Sequence, residues 1–490
     1  MHTIEHTAPG GARSSMLGFI TMHRRGPVTL AALAVGVLAL TACGAGGAEL
    51  AGAASSSPRA EETTKAAAKE VSRLTPRAVV AYDGGLLTVD TASGEVLDKT
   101  EKDGFLRLNN AGDGRHVMVS DGDVFRVHDT GLDAHKHGDH YHYRQSAPEL
   151  TDVTFDAPHA GHVVVHHGKT TLFGDGDGSI TTFESEALKH GAPDATERKT
   201  EHPHHGVALE LADGTLFTTQ GTEDERHTVR VLGKDGAVKA ETTDCPGVHG
   251  EAAAAPGAST DTVMAGCENG PVIYRDGKFH KVAVADAYAR SGNLAGSETS
   301  PIVLGDYKVD EDAEQERPTR VALFDTRDGS HGLVDLGSSY WFRSLARGPE
   351  GEALVLTYDG KLNVIDEESG KVVRKIDVIQ PWEEKADWQE AGPAIKVAGS
   401  SAYVTDAQNK KLHVVDLAKG EVAKTIDLPQ TPVELAVVTG KPEAPAREEK
   451  AHGHGSHGHG SHEGHDHVHD DAAPSAGAPA DAGGHGGPGR

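Results

Sequence analysis

Between Ala78 and Thr439 the apolar residues come in short runs of four to six, separated by Gly, Asp and Asn, with hardly a trace of a helical period. One unit recurs: an apolar strand ending in Asp, a turn ending in Gly, and a second strand. Clear copies run from Leu87 through Asp90 to Gly94, from Leu323 through Asp325 to Gly329, from Val364 through Asp366 to Gly370 and from Val414 through Asp416 to Gly420. Weaker copies lie at Val127-His128-Asp129, Phe173-Gly174-Asp175, Leu232 to Gly236 and Tyr274 to Gly277. Repeats at intervals of roughly 40 to 60 residues, with about four short strands in each, predict an all-β chain folded as a β-propeller. Eight hairpins predict eight blades, with seven as the alternative. A pair of β-sandwiches is disfavoured by the single repeat length.

The segment from Ala78 to Thr100 offers only about three strands, so the chain is expected to enter inside a blade. Pro432 to Val438 would then supply the missing strand and close the ring, removing free sheet edges. The propeller is expected over residues 77–440.

Both flanks depart from this pattern. His23-Arg24-Arg25 and the apolar run Val28 to Leu40 have the form of a secretion signal, too short for a confident span. It ends in Leu40-Thr41-Ala42-Cys43, which resembles a bacterial lipobox, so Cys43 is expected to be lipidated. Residues 1–43 are read as a lipoprotein signal peptide, with Met22 as the expected start, and 44–76 as a flexible tether. No other segment has the length and apolarity to span. The protein is therefore expected outside the cytoplasm, held at the membrane by its lipid alone.

Composition narrows the function. A net charge of -27 over 490 residues argues against a nucleic-acid partner, which needs a basic face. Histidine is the outlier, with 31 residues against 5 Met and 3 Cys, a balance that favours a borderline divalent ion over Cu(I). Cys245 and Cys267 remain as a pair and predict a disulfide stapling the inner hairpin of one blade, two separate buried thiols being the alternative.

The histidines fall into three sets. Asp133 to Tyr143 carries His135, His137, Asp139, His140 and His142, with His128 upstream. Ligands at i, i+2, i+5 and i+7 of an extended or looped backbone can converge on one cation, and imidazole with carboxylate suits Zn2+. A solvated polar loop is the plainer reading. Strands in a blade run A to D outward, loops A–B and C–D sharing one face and loops B–C and D–A the other. With Val124 to Val127 as a C strand, the cluster is placed on the C–D connection and the D strand. His159 and His162 then fall on the next A–B turn of the same face. On the other face stand His166 and His167, ending a B strand, then His204, His205 and His249 leading into A strands, with His227 in a B–C loop nearby. The third set is the Gly-spaced tail of residues 441–490, expected to be disordered when metal-free. There His452, His454, His457, His459, His462, His465, His467 and His469 would act as a low-specificity metal collector.

No nucleophile or general base stands out beside these sites, which suggests metal handling without catalysis. Tyr82-Asp83-Gly84-Gly85, the His135 to His142 cluster and Cys245-Pro246-Gly247-Val248-His249-Gly250-Glu251 carry a resemblance to the AztD-type zinc metallochaperones. That resemblance covers about Ala78 to Thr439. It implies an extracytoplasmic propeller that binds zinc tightly and passes it to the zinc-specific solute-binding protein of an ABC importer; the chain is expected to be a monomer. The His tail and lipid anchor are departures from a freely soluble periplasmic form. The competing readings are a propeller enzyme (lactonase-like or a metal-dependent oxidoreductase) and a non-catalytic binding scaffold.

Overall fold

The fold was read from a computed structural model, which describes residues 68–138, 140–255 and 261–442. The signal segment with Cys43, the tether up to residue 67, Asp139 and the eight tail histidines lie outside the described residues.

Among the described residues the strands form eight four-stranded antiparallel sheets and one sheet of three strands. The eight sheets are the blades of a propeller, as the hairpin count predicts. Blade I joins Arg77–Tyr82, Gly85–Asp90 and Val96–Glu101 to Glu434–Val438, which pairs with Arg77–Tyr82 as the innermost strand. Blades II, III, IV and V occupy 106–156, 160–199, 208–242 and 251–281; blades VI, VII and VIII occupy 294–335, 345–377 and 395–427. Among the described residues the helical content is one 3-10 turn, Ser185–His190. Among the described residues no helix is long and apolar enough to cross a membrane.

The core lies between blades. In the closing strand, Leu435 and Val437 pack into the cluster shared with blade VIII, while Ala436 and Val438 pack toward blade II. Successive side chains of a strand point to opposite faces, and here both faces are covered. That is why inner strands read as unbroken apolar runs rather than as alternation. The Asp-to-Gly repeat unit is the turn between the third and fourth strands. Asp416 Oδ1 accepts from the Lys419 amide at 2.9 Å and the Gly420 amide donates to the Asp416 carbonyl at 2.7 Å. Gly420 sits at φ +73°, the left-handed region that favours glycine.

The three-stranded sheet explains the main departure from expectation. Leu132–His137 and His140–Gln145 form a hairpin inserted between the third and fourth strands of blade II, and its outer partner is Lys69–Val71. The true fourth strand is Glu149–Asp156. The His cluster is thus on the C–D connection but not on the D strand. Strand Lys69–Val71 also falls inside the stretch expected as tether. Arg77 anchors the base of the insertion through the carbonyls of Thr130 and, at 2.9 Å, Ser146.

Closure by the returning strand generates a direct prediction. Leu435 is fully buried in the cluster between blades VIII and I. Leu435→Ala should lower the unfolding free energy by about 2–5 kcal/mol, read from urea midpoints. A change below about 1 kcal/mol would mean that the closing strand is not holding the ring.

Candidate metal centre

Taking the inserted hairpin as the blade's fourth strand displaces the lettering by one strand in the next blade. Ala157 to His159 is the D–A connection entering blade III, and His162 lies early in its innermost strand Ala160–His166. His166 and His167 are at the other end of that strand, on the A–B turn. His162 therefore joins His205 and His249 at one mouth of the channel, and the His166–His167 pair belongs to the opposite mouth.

At the first mouth one ligand atom from each of His162, His205 and His249 comes within 4.8 Å of the others. Ring centroids are 5.1 Å apart for His162 and His205, 5.9 Å for His162 and His249, and 5.0 Å for His205 and His249. The three come from consecutive blades, which only a closed ring holds in place. Two of the rings are oriented from behind. His249 Nδ1 donates to the Gly292 carbonyl at 2.7 Å, which leaves Nε2 as its free lone pair. His205 Nδ1 is 2.5 Å from Asp175 Oδ2, the carboxylate–imidazole pairing that fixes tautomer and raises ligand basicity. His162 Nδ1 faces Glu251 Oε2 at 3.5 Å. Gly161 makes room for this: a Cβ there would come within 2.4 Å of Asp175 Oδ1.

Electrostatics prepares the same rings. Burial, helped by the neighbouring His205 and Arg107, pushes His162 down to about 3. Burial and the other two imidazoles hold His249 well below its ordinary value. Both rings are thus neutral at pH 7 and need lose no proton to bind a cation. Burial pushes the Glu251 carboxyl up to about 8, so it carries a proton in the metal-free protein at neutral pH. Glu251 lines a cavity of about 250 Å³ together with His162, His249, Arg107 and Arg343.

The disulfide sits beneath this mouth. Cys245 and Cys267 are bonded with Cα atoms 4.9 Å apart, one before and one after the inner hairpin of blade V. The bond fixes the segment leading to His249, whose amide donates to the Gly266 carbonyl at 3.0 Å.

A second cluster lies on the inserted hairpin. Antiparallel register sets His137 opposite His140 and His135 opposite His142, all on one face, while Tyr141 and Tyr143 stack on the other. His137, His140 and His142 bring ligand atoms within 4.8 Å, and their ring centroids are 5.0–5.7 Å apart. His135, farther down the ribbon, is not in that group. Glu70 of the outer strand adds a carboxylate 3.5 Å from His142 Nδ1. Unlike the channel site, this one is open to solvent: His137 and His140 are exposed.

The remaining candidates separate from both clusters. His128 is fully buried on the third strand of blade II, facing blade I 2.7 Å from the Thr88 hydroxyl, and burial pushes it down to about 4. His204 is saturated by the His202 carbonyl at 3.0 Å and the Thr219 hydroxyl at 2.9 Å. His159 occupies an exposed turn at φ +51°, and His227 stands exposed on the strand Arg226–Leu232. Four carboxylates escaped the sequence reading: Glu70, Asp175, Glu251 and Asp261. Only Glu251 carried a signal, two residues after His249; the others are brought in from distant strands and loops.

No protein-family model matches the chain. The zinc chaperone AztD of Citrobacter koseri is 26% identical over 380 residues, spanning 75% of this chain and 87% of that protein. The chain resembles the AztD-type zinc chaperones. The crystal structure of C. koseri AztD aligns with a TM-score of 0.65 at 24% identity, over 76% of this chain and all (100%) of that one. The structure of apo AztD from the same organism gives 0.64 at 23%, with the same coverage. At that identity the AztD structures establish the shared fold.

Two expectations follow. Unfolded His128 titrates near 6.5 and folded His128 near 4, so between those values the unfolded state binds the extra proton and stability falls as pH falls. Its share should reach about 3 kcal/mol at pH 4, and His128→Gln should flatten the pH curve of urea unfolding accordingly. Curves that stay parallel would contradict this. Cys245→Ser with Cys267→Ser, opening a bridge between residues 22 apart, should cost about 3 kcal/mol. With His249 as a ligand of added Zn2+, the double variant should also weaken binding there more than at the hairpin; equal weakening at both candidate sites would contradict a positioning role for the bond.

Proposed function

We propose that this chain is a zinc chaperone of the cell exterior, tethered through lipidated Cys43, which captures Zn2+ and surrenders it by ligand exchange. The receiver is the zinc-specific solute-binding protein of an ABC importer, and the chain acts as a monomer without catalysis. The supporting observation is the convergence of His162, His205 and His249 from three consecutive blades, two of them held neutral, with Nδ1 of His205 and His249 taken up by Asp175 and the Gly292 carbonyl. Three imidazoles leave the fourth tetrahedral position open, the position through which an incoming ligand can enter. The likeness to the C. koseri zinc chaperone supports the choice of zinc.

The chemistry divides between the sites. The channel set is preorganised and enclosed, which favours affinity; the hairpin set is exposed, which favours rapid exchange. The tail histidines would gather ions at low specificity. A zinc ion in the channel would hold Nε2 of His205 and His249, with Nδ1 of each ring kept on its protein partner. Glu251 would give up its proton beside the arriving charge, so loading should release protons.

His162→Ala with His249→Ala should abolish one tight zinc equivalent per chain, measured by competition with a chromophoric chelator. Zinc transfer to the solute-binding protein should fall at least tenfold while the folded signal is retained. Undiminished transfer by this variant would overturn the assignment of the channel site as the donor.

A further inference from the structure

The opposite mouth of the channel holds a cluster that the channel-site reading does not use. His166 ends the inner strand of blade III and His167 follows it in the turn, Asp261 immediately precedes the second strand of blade V, and their ligand atoms lie within 4.8 Å of one another. His167 Nε2 contacts Asp261 Oδ1, and His166 Nε2 lies 3.5 Å from the same oxygen. The other carboxylate oxygen accepts from the Ala212 amide of blade IV at 2.7 Å. The A–B turns of three consecutive blades, the same three that build the first mouth, thus meet at one carboxylate.

Three observations go beyond a simple ion pair. His166 is 7% exposed, and its buried Nε2 has only the long 3.5 Å approach to Asp261 Oδ1, while His167 Nδ1 is buried without a hydrogen-bond partner. Buried polar atoms are ordinarily satisfied, and one left without a partner is destabilising. The imidazoles are crowded, with centroids 3.8 Å apart. The third is backbone conformation. His167 and Gly168 form the two-residue turn of the hairpin at φ +48° and +75°. Such a turn favours Asn-Gly, and histidine is among the residues that tolerate the left-handed region.

We propose that His166, His167 and Asp261 form a second divalent-cation site, of the zinc class, at the end of the channel opposite His162. Two imidazoles and a carboxylate are the donor set of a borderline ion, and they leave at least one position for water or an incoming donor. His166 and His162 stand four residues apart on one strand, about 13 Å along it. A cavity of about 810 Å³ lies beside His166 and shares Asn109, Val163 and Glu251 with the cavity at the first mouth. An ion here would join the A–B ends of blades III and V, much as the first site joins their opposite ends. The assignment stands on its own residues and does not require the three-imidazole site to be occupied.

The turn geometry supplies a variant that keeps the fold. His167→Asn places the residue preferred at that turn position, so it should fold at least as stably as the parent while losing a ligand; Asp261→Asn removes the charge with little change in shape. Each is made in the full chain and titrated with Zn2+ alone against a chromophoric chelator, beside His162→Ala/His249→Ala. Each is expected to lose about one zinc equivalent per chain that the His162 variant retains. The zinc-induced rise in Tm should shrink in the same variants. Zinc counts and Tm shifts equal to the parent's in both His167→Asn and Asp261→Asn would overturn the site. Loss of an equivalent only in the His162 variant would do so while leaving the chaperone reading intact.

Discussion

A ring of sheets holds its inner strands in fixed positions only if the ring is closed, and here closure is the pairing of Glu434–Val438 with Arg77–Tyr82. That strand is the innermost of blade I and packs against blades VIII and II at once. Each candidate metal cluster in the channel draws on blades III and V, whose angular spacing is set by the ring as a whole. The three imidazoles at one mouth are close because eight blades fit the circle, not because any local segment folds them together.

Placement within the ring then decides chemistry. At the channel mouth burial keeps His162 and His249 neutral, and protein acceptors use up Nδ1 of His205 and His249. The ordering entropy and proton loss that metal binding would otherwise cost are largely met in advance by the fold. On the hairpin the rings stand in the open, with Glu70 beside His142 Nδ1 at 3.5 Å. His137, His140 and His142 converge through strand register alone and remain open to solvent. The two designs suit holding an ion and exchanging one.

Much of this architecture was legible in the sequence. The Asp-to-Gly turns are local signals with a local cause, so the hairpins could be counted, and the count of eight is what the structure shows. The disulfide was readable because Cys245 and Cys267 are the one pair remaining in the body of the chain. The faces of the histidines were less legible. The hairpin Leu132–Gln145 has the polarity and length of an ordinary outer strand pair, and counting it as a blade strand moved His162 and His166–His167 to the wrong ends of the channel. Asp175 and Asp261 could not be found at all, because they reach their imidazoles across 30 and 94 residues of chain. Periodicity reports which face of a strand is buried; it does not report which distant loop arrives at its end.

Half-buried channel imidazoles, and not sulfur or carboxylate alone, are proposed to hold the first ion to bind. X-ray absorption at the zinc edge, on full-length protein loaded with one equivalent, tests it most directly. The account predicts a four-coordinate shell with about three imidazoles at 2.0–2.1 Å, lost in His162→Ala/His249→Ala. A shell of oxygen donors with no imidazole scattering, or one unchanged by that double substitution, would contradict it.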